Sequence, residues 1–404
     1  MLQRSRLSGA HVYDADSAGF RRLDVIVEGE RVAALSPPVS EFGGRTIGLD
    51  GAYLLPGLID CHVHLTIRGE DADPSASATR TDQEVARYAA DAAERTARAG
   101  VTTVRDLGGW NYVEIELRDR IARGEAVGPR IVPAGRLLSL PTPAVDYYPG
   151  MYEVCRGPDE VRAAVHAQVE RGAGVIKVMA TGAMLSPESE DARAAQFSLG
   201  ELRAAVDAAS EAGVPVAAHA HAVEGIHAAV EAGVASIEHG TFADRAVLEE
   251  MARQRIHLVA TLGALQDEDA LPADLPEHIR RRFDDARAVH LEAVRGAFRL
   301  GVPLAMGTDA GAPGDHHGAN AGEVVRLVRH VGLAPADAIA AATATAARLL
   351  RIDAGAIAPG RLADLIAVAT DPLGDIEALR NVGFVMVGGR IVRHDDVPTR
   401  EAAR

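Results

Sequence analysis

Eight short apolar runs occupy the middle of this 404-residue chain, each followed by a loop or helix before the next begins. They end at His64, Asp106, Gly135, Ala180, His219, His239, Thr261 and Thr308. Alanine-rich amphipathic stretches lie between them, and the spacing predicts helices over Thr81 to Ala99, Pro158 to Arg171, Leu199 to Ala212 and Ala222 to Ala232. Gly100, Gly172, Gly213, Gly233 and Gly301 stand just past helical stretches, where a left-handed residue ends a helix cheaply. A β-α alternation repeated eight times predicts parallel strands closed into a (β/α)8 TIM barrel. The competing arrangement is an open doubly wound sheet. No G-x-G-x-x-G follows an early strand, which weakens a dinucleotide-binding version of it.

Both ends of the chain read differently from the middle. Leu23 to Leu35 is a pair of β-rich runs around a Glu-Gly-Glu turn, and Val385 to Val392 is a hairpin on Gly388-Gly389. One small β-sandwich domain assembled from residues 1–55 and 359–404 is therefore expected, with the barrel over 56–358.

Composition narrows the class. Hydrophobic residues at 48% and charged residues at 25% fit a globular chain. The net charge is −15 with no basic cluster, so a nucleic-acid partner is not expected and a small-molecule substrate is. No run approaches the roughly 20 apolar residues of a membrane span, and the first residues do not resemble a signal peptide. Two cysteines, Cys61 and Cys155, cannot build a disulfide framework, so a cytoplasmic location is expected.

The chemistry-bearing residues fall on the carboxyl ends of the strands, where barrel sites form. His62 and His64 are two apart on the first strand, so both imidazoles face one side. His219 ends the fifth strand with His221 two residues on, His239 ends the sixth, and Asp309 closes the eighth. Each alone fits an ordinary structural residue; together they fit a metal site.

Lys177, in the fourth strand, is the only lysine among 42 basic residues. Arginine cannot replace lysine where a deprotonated amine must react. Burial would free that amine from its proton, and a free amine can add carbon dioxide to give a carbamate, a bidentate anionic ligand. The plainer reading is a lysine paired to a nearby carboxylate. His317, in the loop after Asp309, is a candidate substrate contact. His290 and the histidines outside these groups read as surface or packing residues.

The ordered segments PGLIDCHVHL, TTVRDLGG, IKVMATGAM, AAHAHAVEGI, SIEHGTF, MGTDAG and GRLADLIAV resemble the amidohydrolase superfamily. Within it they look like the imidazolonepropionase-like branch with prolidase-type (Xaa-Pro) dipeptidases and ochratoxin-type amidases. The resemblance implies two divalent metal ions, zinc by preference, with His62, His64 and Asp309 holding the more buried ion and His219 and His239 the more exposed one. It implies a carboxylated Lys177 bridging them and His221 facing the substrate. A water shared by the cations is the expected nucleophile toward an amide carbonyl, with Asp309 relaying its proton to the leaving nitrogen. The expected substrate is an N-acyl amino acid or dipeptide. A cyclic amide or imine, an ester, a mononuclear deaminase-type site and a non-catalytic scaffold are the alternatives. A symmetric homo-oligomer is expected of such barrels.

One segment departs from the branch. Its dipeptidase-like members carry a Gly-Gly-His-Gly stretch after the third strand, whereas this chain has Arg136 to Ala144, with no histidine. Arg136, Tyr147, Tyr148 and Arg68 are the candidates to replace that carboxylate contact.

Overall fold

The computed structural model describes residues 4–395 apart from 40, 74, 75, 77, 78 and 267–270. The outermost residues of the expected terminal domain, 1–3 and 396–404, lie outside the described residues. The fold is α/β. Strands Arg130–Pro133, Val101–Asp106 and Leu58–Val63 form one parallel sheet in that order. A second parallel sheet runs Tyr152–Val154, Leu137–Ser139, Ile176–Met179, Val216–Ala220, Ser236–His239, His257–Val259. Backbone bonds join the two sheets at both edges. Gly174 N donates to Pro133 O at 2.8 Å on one side. On the other, the segment 303–309 bridges them: Leu258 N donates to Pro303 O at 3.0 Å, Cys61 N to Met306 O at 2.8 Å and Asp309 N to His62 O at 2.8 Å.

That bridging segment is the expected eighth strand, and it is not a regular one. It pairs only through isolated bridges, Leu258 with Leu304 and Val63 with Ala310. Pro303 has no N–H to give a ladder. Gly307 packs so tightly that a Cβ there would lie 2.3 Å from Val259 Cγ1 and 2.9 Å from His62 Cβ. The expected third strand also stops early, at Pro133. Gly135, at φ +70°, turns the chain before it resumes as Leu137–Ser139.

The four helices form close to where the spacing puts them, as Asp82–Arg98, Gly157–Glu170, Leu199–Glu211 and Val223–Ala232. Thr81 and Ser198 each start a helix with a capping box, closed by Glu84 and Glu201. The glycines at 100, 172, 213, 233 and 301 all take positive φ.

Outside the parallel sheets, strands from both termini share one antiparallel-rich sheet, in which Tyr53–Pro56 pairs with Leu365–Val368. The hairpin Val382–Val387/Arg390–His394 turns on Gly388 and Gly389 (φ +52° and +73°). A second sheet comes from residues 4–48. A compact apolar cluster between them mixes Leu7, Val25 and Leu54 with Leu365, Phe384 and Met386. No helix among the described residues is long and apolar enough to cross a membrane.

Candidate metal centre

The strand ends converge on one cavity. His62, His64, Lys177, His219, His221, His239 and Asp309 all line it. The rings are in mutual contact range: centroids are 5.4 Å apart for His62 and His64, 5.0 Å for His62 and His239, and 4.7 Å for His219 and His239. Two groups have ligand atoms within 4.8 Å of one another, His62–His239–Asp309 and His219–His221–His239. His221, assigned by the resemblance to the substrate, thus lies within ligand reach of His219 and His239.

The hydrogen bonds behind the rings decide which nitrogens face the cavity. His62 Nδ1 meets Glu238 Oε2 at 3.0 Å, His64 Nδ1 meets the Gly108 carbonyl at 3.0 Å, and His219 Nε2 meets the Gly182 carbonyl at 3.1 Å. A carboxylate or carbonyl can only accept, so each of these nitrogens carries a proton, and on a neutral ring the partner nitrogen is the one left to bind a metal. The Nε2 atoms of His62 and His64 then face Asp309 Oδ1 at 3.3 and 3.4 Å. His62 Nε2 is buried without a hydrogen-bond partner. With both rings neutral, two nitrogen lone pairs and a carboxylate oxygen meeting at one point would suit a cation between them. Burial, outweighing the attraction of Asp309, pushes His64 down to about 4, so that ring is neutral at physiological pH. His219 Nδ1 and His239 Nε2 approach to 3.0 Å in the same neighbourhood. Burial, reinforced by the neighbouring rings, drops both of these histidines well below their ordinary range. The residues present therefore fit divalent cations held by nitrogen and oxygen donors.

The charges are set from below. Glu238 is fully buried and held between His62 and Arg105, whose Nη2 donates to Glu238 Oε1 at 2.8 Å. Arg105 also donates to Cys61 O at 2.5 Å and Ser236 Oγ at 2.9 Å. Burial alone would raise Glu238, but Arg105 and His62 hold it down to about 2. Asp309 behaves alike: burial opposes its ionisation, yet His62, His64 and Lys177 keep it far below the usual carboxylate range. Burial lowers the Lys177 ammonium to about 8 against the pull of Glu238 and Asp309.

Asp309, His239 and Thr261 hold their side chains from positive-φ backbone, at +64°, +65° and +50°. Such conformations cost roughly 1–3 kcal/mol each and persist where surrounding contacts over-determine them. His290, from the helix Glu277–Arg299, donates Nε2–H to the His239 carbonyl at 3.1 Å, and Thr261 Oγ1 meets His239 Nδ1 at 2.8 Å. Asp60 accepts from Thr308 Oγ1 and Asn320 Nδ2, both at 2.7 Å, and ties the base of the Asp309 loop to the first strand.

Of the candidate substrate contacts, Tyr148 alone lines the cavity, and its hydroxyl is engaged by Leu185 O at 2.6 Å. Tyr147 packs edge-on behind it and bonds Asp73 Oδ1 at 2.7 Å. Arg136 lies over Tyr112 and near Glu153, outside the lining. His317 is buried beneath the wall, with Nε2 at 3.2 Å from His64 O and 3.3 Å from Ile67 O. Arg68 stacks on Tyr88, also outside the lining. Sequence reasoning missed Arg105, Glu238 and Asp60 as supports. Their signal was available: each is a charged residue inside an expected barrel strand, where burial demands a partner. His290 gave no such signal, because its helix is amphipathic and largely polar.

Residues 53–392 match the amidohydrolase family. The ochratoxinase of Aspergillus niger is 34% identical over 388 residues, covering 87% of this chain and 78% of that protein. The imidazolonepropionase of Nocardia farcinica is 30% identical over 346 residues, covering 79% and 78%. A solved Xaa-Pro dipeptidase with methionine bound in its active site superposes with a TM-score of 0.88 at 33% identity, covering 96% of this chain and 99% of that one.

Proposed function

The chain belongs to the amidohydrolase family, and from that premise we propose that it is a binuclear metal-dependent hydrolase cleaving an amide C–N bond. The substrate class is an N-acyl amino acid or dipeptide, and zinc is the preferred ion. In this reading the joined parallel sheets are a (β/α)8 barrel, and the two terminal sheets form one composite β-sandwich domain. The observation that carries it is the convergence of His62 Nε2 and His64 Nε2 on Asp309 Oδ1, with the other nitrogen of each ring tied to an acceptor behind it.

His62, His64 and Asp309 would hold one ion, His219 and His239 the other, with Lys177 as its carbamate between them. Bound there, two divalent cations supply an activated water near neutral pH and polarise the scissile carbonyl. The protein does the rest. Asp309, an ionised carboxylate beside His62 and His64, takes the proton of the attacking water and delivers it to the leaving nitrogen. Without that delivery the amide nitrogen would have to leave as an anion, and such proton transfer is worth about 10²–10⁴-fold. His221, pushed down to about 3 chiefly by burial, stays neutral. Where the Thr241 hydroxyl, 2.8 Å from its Nδ1, donates to that nitrogen, the Nε2–H would be left to donate to the oxyanion.

The test is a screen of N-acyl amino acids and dipeptides with zinc and bicarbonate supplied, run on the wild type and on Asp309→Asn. Turnover by the wild type is expected, with a loss of about 10²–10⁴-fold in kcat for the variant. An Asp309→Asn protein that hydrolyses amides at the wild-type rate would remove the proton relay. No turnover of any acyclic amide by metal-loaded wild type, with lactams or esters cleaved instead, would replace the substrate class.

A further inference from the structure

The cavity has two unlike sides. Its charged lining residues, Asp309 and Lys177, sit with the histidines. The rest is mostly apolar, and Met184, Leu185, Leu265 and Phe283 form one stretch of it. Met184, Leu265 and Phe283 belong to a small apolar cluster with Leu271, Leu275 and Ile279 that is separate from the main core. The site chemistry described above needs none of these side chains.

Their placement depends on one guanidinium. Arg282, on the helix Glu277–Arg299, donates to the carbonyls of Met184 (3.0 Å), Ser186 (2.8 Å), Pro187 (3.2 Å) and Glu190 (2.5 Å). His278, one turn earlier, donates to Ser186 O at 3.2 Å. From the other side the Tyr148 hydroxyl takes Leu185 O, and the Glu190 carboxylate accepts from Ala144 N at 2.8 Å. The loop thus turns its carbonyls toward these donors while Met184 and Leu185 line the cavity. A planar fork can serve several carbonyls at fixed angles, which a lysine ammonium cannot reproduce. Phe283 is the next residue on the same helix, so the residue that fixes the loop and the aromatic ring of the wall move as one body.

We infer that the Met184–Leu185–Leu265–Phe283 wall is the specificity surface of this site. It takes a bulky uncharged group, aromatic or branched aliphatic, carried by one half of the scissile amide, and Arg282 is the positioning residue that holds it. A charged group placed there would lose its water without gaining a partner. The inference rests on the amide-hydrolysing reading above for its kinetic test but not for its binding test.

The kinetic test compares N-phenylacetylglycine and N-acetylphenylalanine with N-acetylglycine, so that each half is varied separately. At least one bulky substrate is expected to be preferred in kcat/KM by on the order of ten- to a hundred-fold. Phe283→Ala should reduce that preference at least ten-fold. Arg282→Met should reduce it through KM with kcat little changed, and Arg282→Lys should restore only part. Equal turnover of all three substrates by the wild type, or a Phe283→Ala variant that slows all three alike, overturns the inference. If no amide is hydrolysed, the proposed reaction fails, and calorimetric titration of the metal-free protein with the same three compounds judges the wall alone. Binding of a bulky compound that Phe283→Ala weakens about ten-fold supports it; no difference between bulky and small compounds overturns it.

Discussion

The histidine side of the cavity and its apolar wall are held by opposite means. The histidine side grows largely from parallel strands, and its groups are locked by buried hydrogen bonds: Arg105 on Glu238, Glu238 on His62, His290 and Thr261 on His239. The wall stands on loops and one helix, and a single half-buried arginine reaches over its carbonyls. Strands place atoms to within the tolerance metal ligation and proton transfer need, whereas a loop-borne apolar cluster can change shape with little effect on the reacting groups. The difference separates chemistry from selectivity within one cavity.

The sharpest way to break this division is Lys177→Arg. It keeps the positive charge but cannot form a carbamate. A loss of about 10⁴-fold or more in kcat is expected, the scale on which one member of an interdependent catalytic set acts. Metal content by mass spectrometry should fall in parallel. A variant with wild-type rate and two ions bound would end the bridging role.

Arg105→Met tests the support beneath. It leaves the Glu238 carboxylate buried without its cation, at a cost of about 3–5 kcal/mol. Denaturant midpoints should drop accordingly, and zinc affinity with them, because His62 loses its fixed tautomer. Unchanged zinc affinity in a destabilised Arg105→Met protein would show that the pair serves folding alone.

The wall should respond in the reverse pattern. Leu271→Ala lies at the edge of the apolar cluster and should cost about 2 kcal/mol, the low end for such truncations. Zinc stoichiometry should stay intact. Loss of metal from this variant would mean that wall and histidine side are not separable.

The smallest effect sharpens the chemistry of Lys177. Burial lowers its ammonium to about 8 in the metal-free site. Only the deprotonated amine adds carbon dioxide. Below pH 8 the ammonium dominates, so the rate of reactivating metal-free protein with zinc and fixed dissolved carbon dioxide should rise about ten-fold per pH unit toward 8 and level off above it. A rate flat from pH 6 to 9 would exclude a titrating amine.

Much of this molecule was legible in one dimension. Strand alternation, glycine stops and capping residues such as Thr81 and Ser198 are local, and local rules determined the helices within a residue or two at each end. The convergence of His62, His64, Lys177, His219, His239 and Asp309 was also readable, because strand ends in a repeating β-α chain meet at one face. Other features depended on contacts between segments far apart in sequence. The eighth run became a set of isolated bridges, with Gly307 packed too close to His62 and Val259 to carry a side chain. Arg136 and His317 sat at plausible positions along the chain, but packing turned Arg136 onto Tyr112 and buried His317 against the carbonyls of His64 and Ile67. His290 reached the backbone of His239 from a helix about 50 residues further on. What the sequence alone determined about this protein is therefore its periodicity and its stock of ligand-bearing side chains, since both depend on spacing along one chain. Which imidazole nitrogen faces the cavity, and which loop walls it, was decided only in three dimensions, because a hydrogen-bond partner fixes a tautomer and a half-buried guanidinium fixes a loop whatever lies between them in the chain.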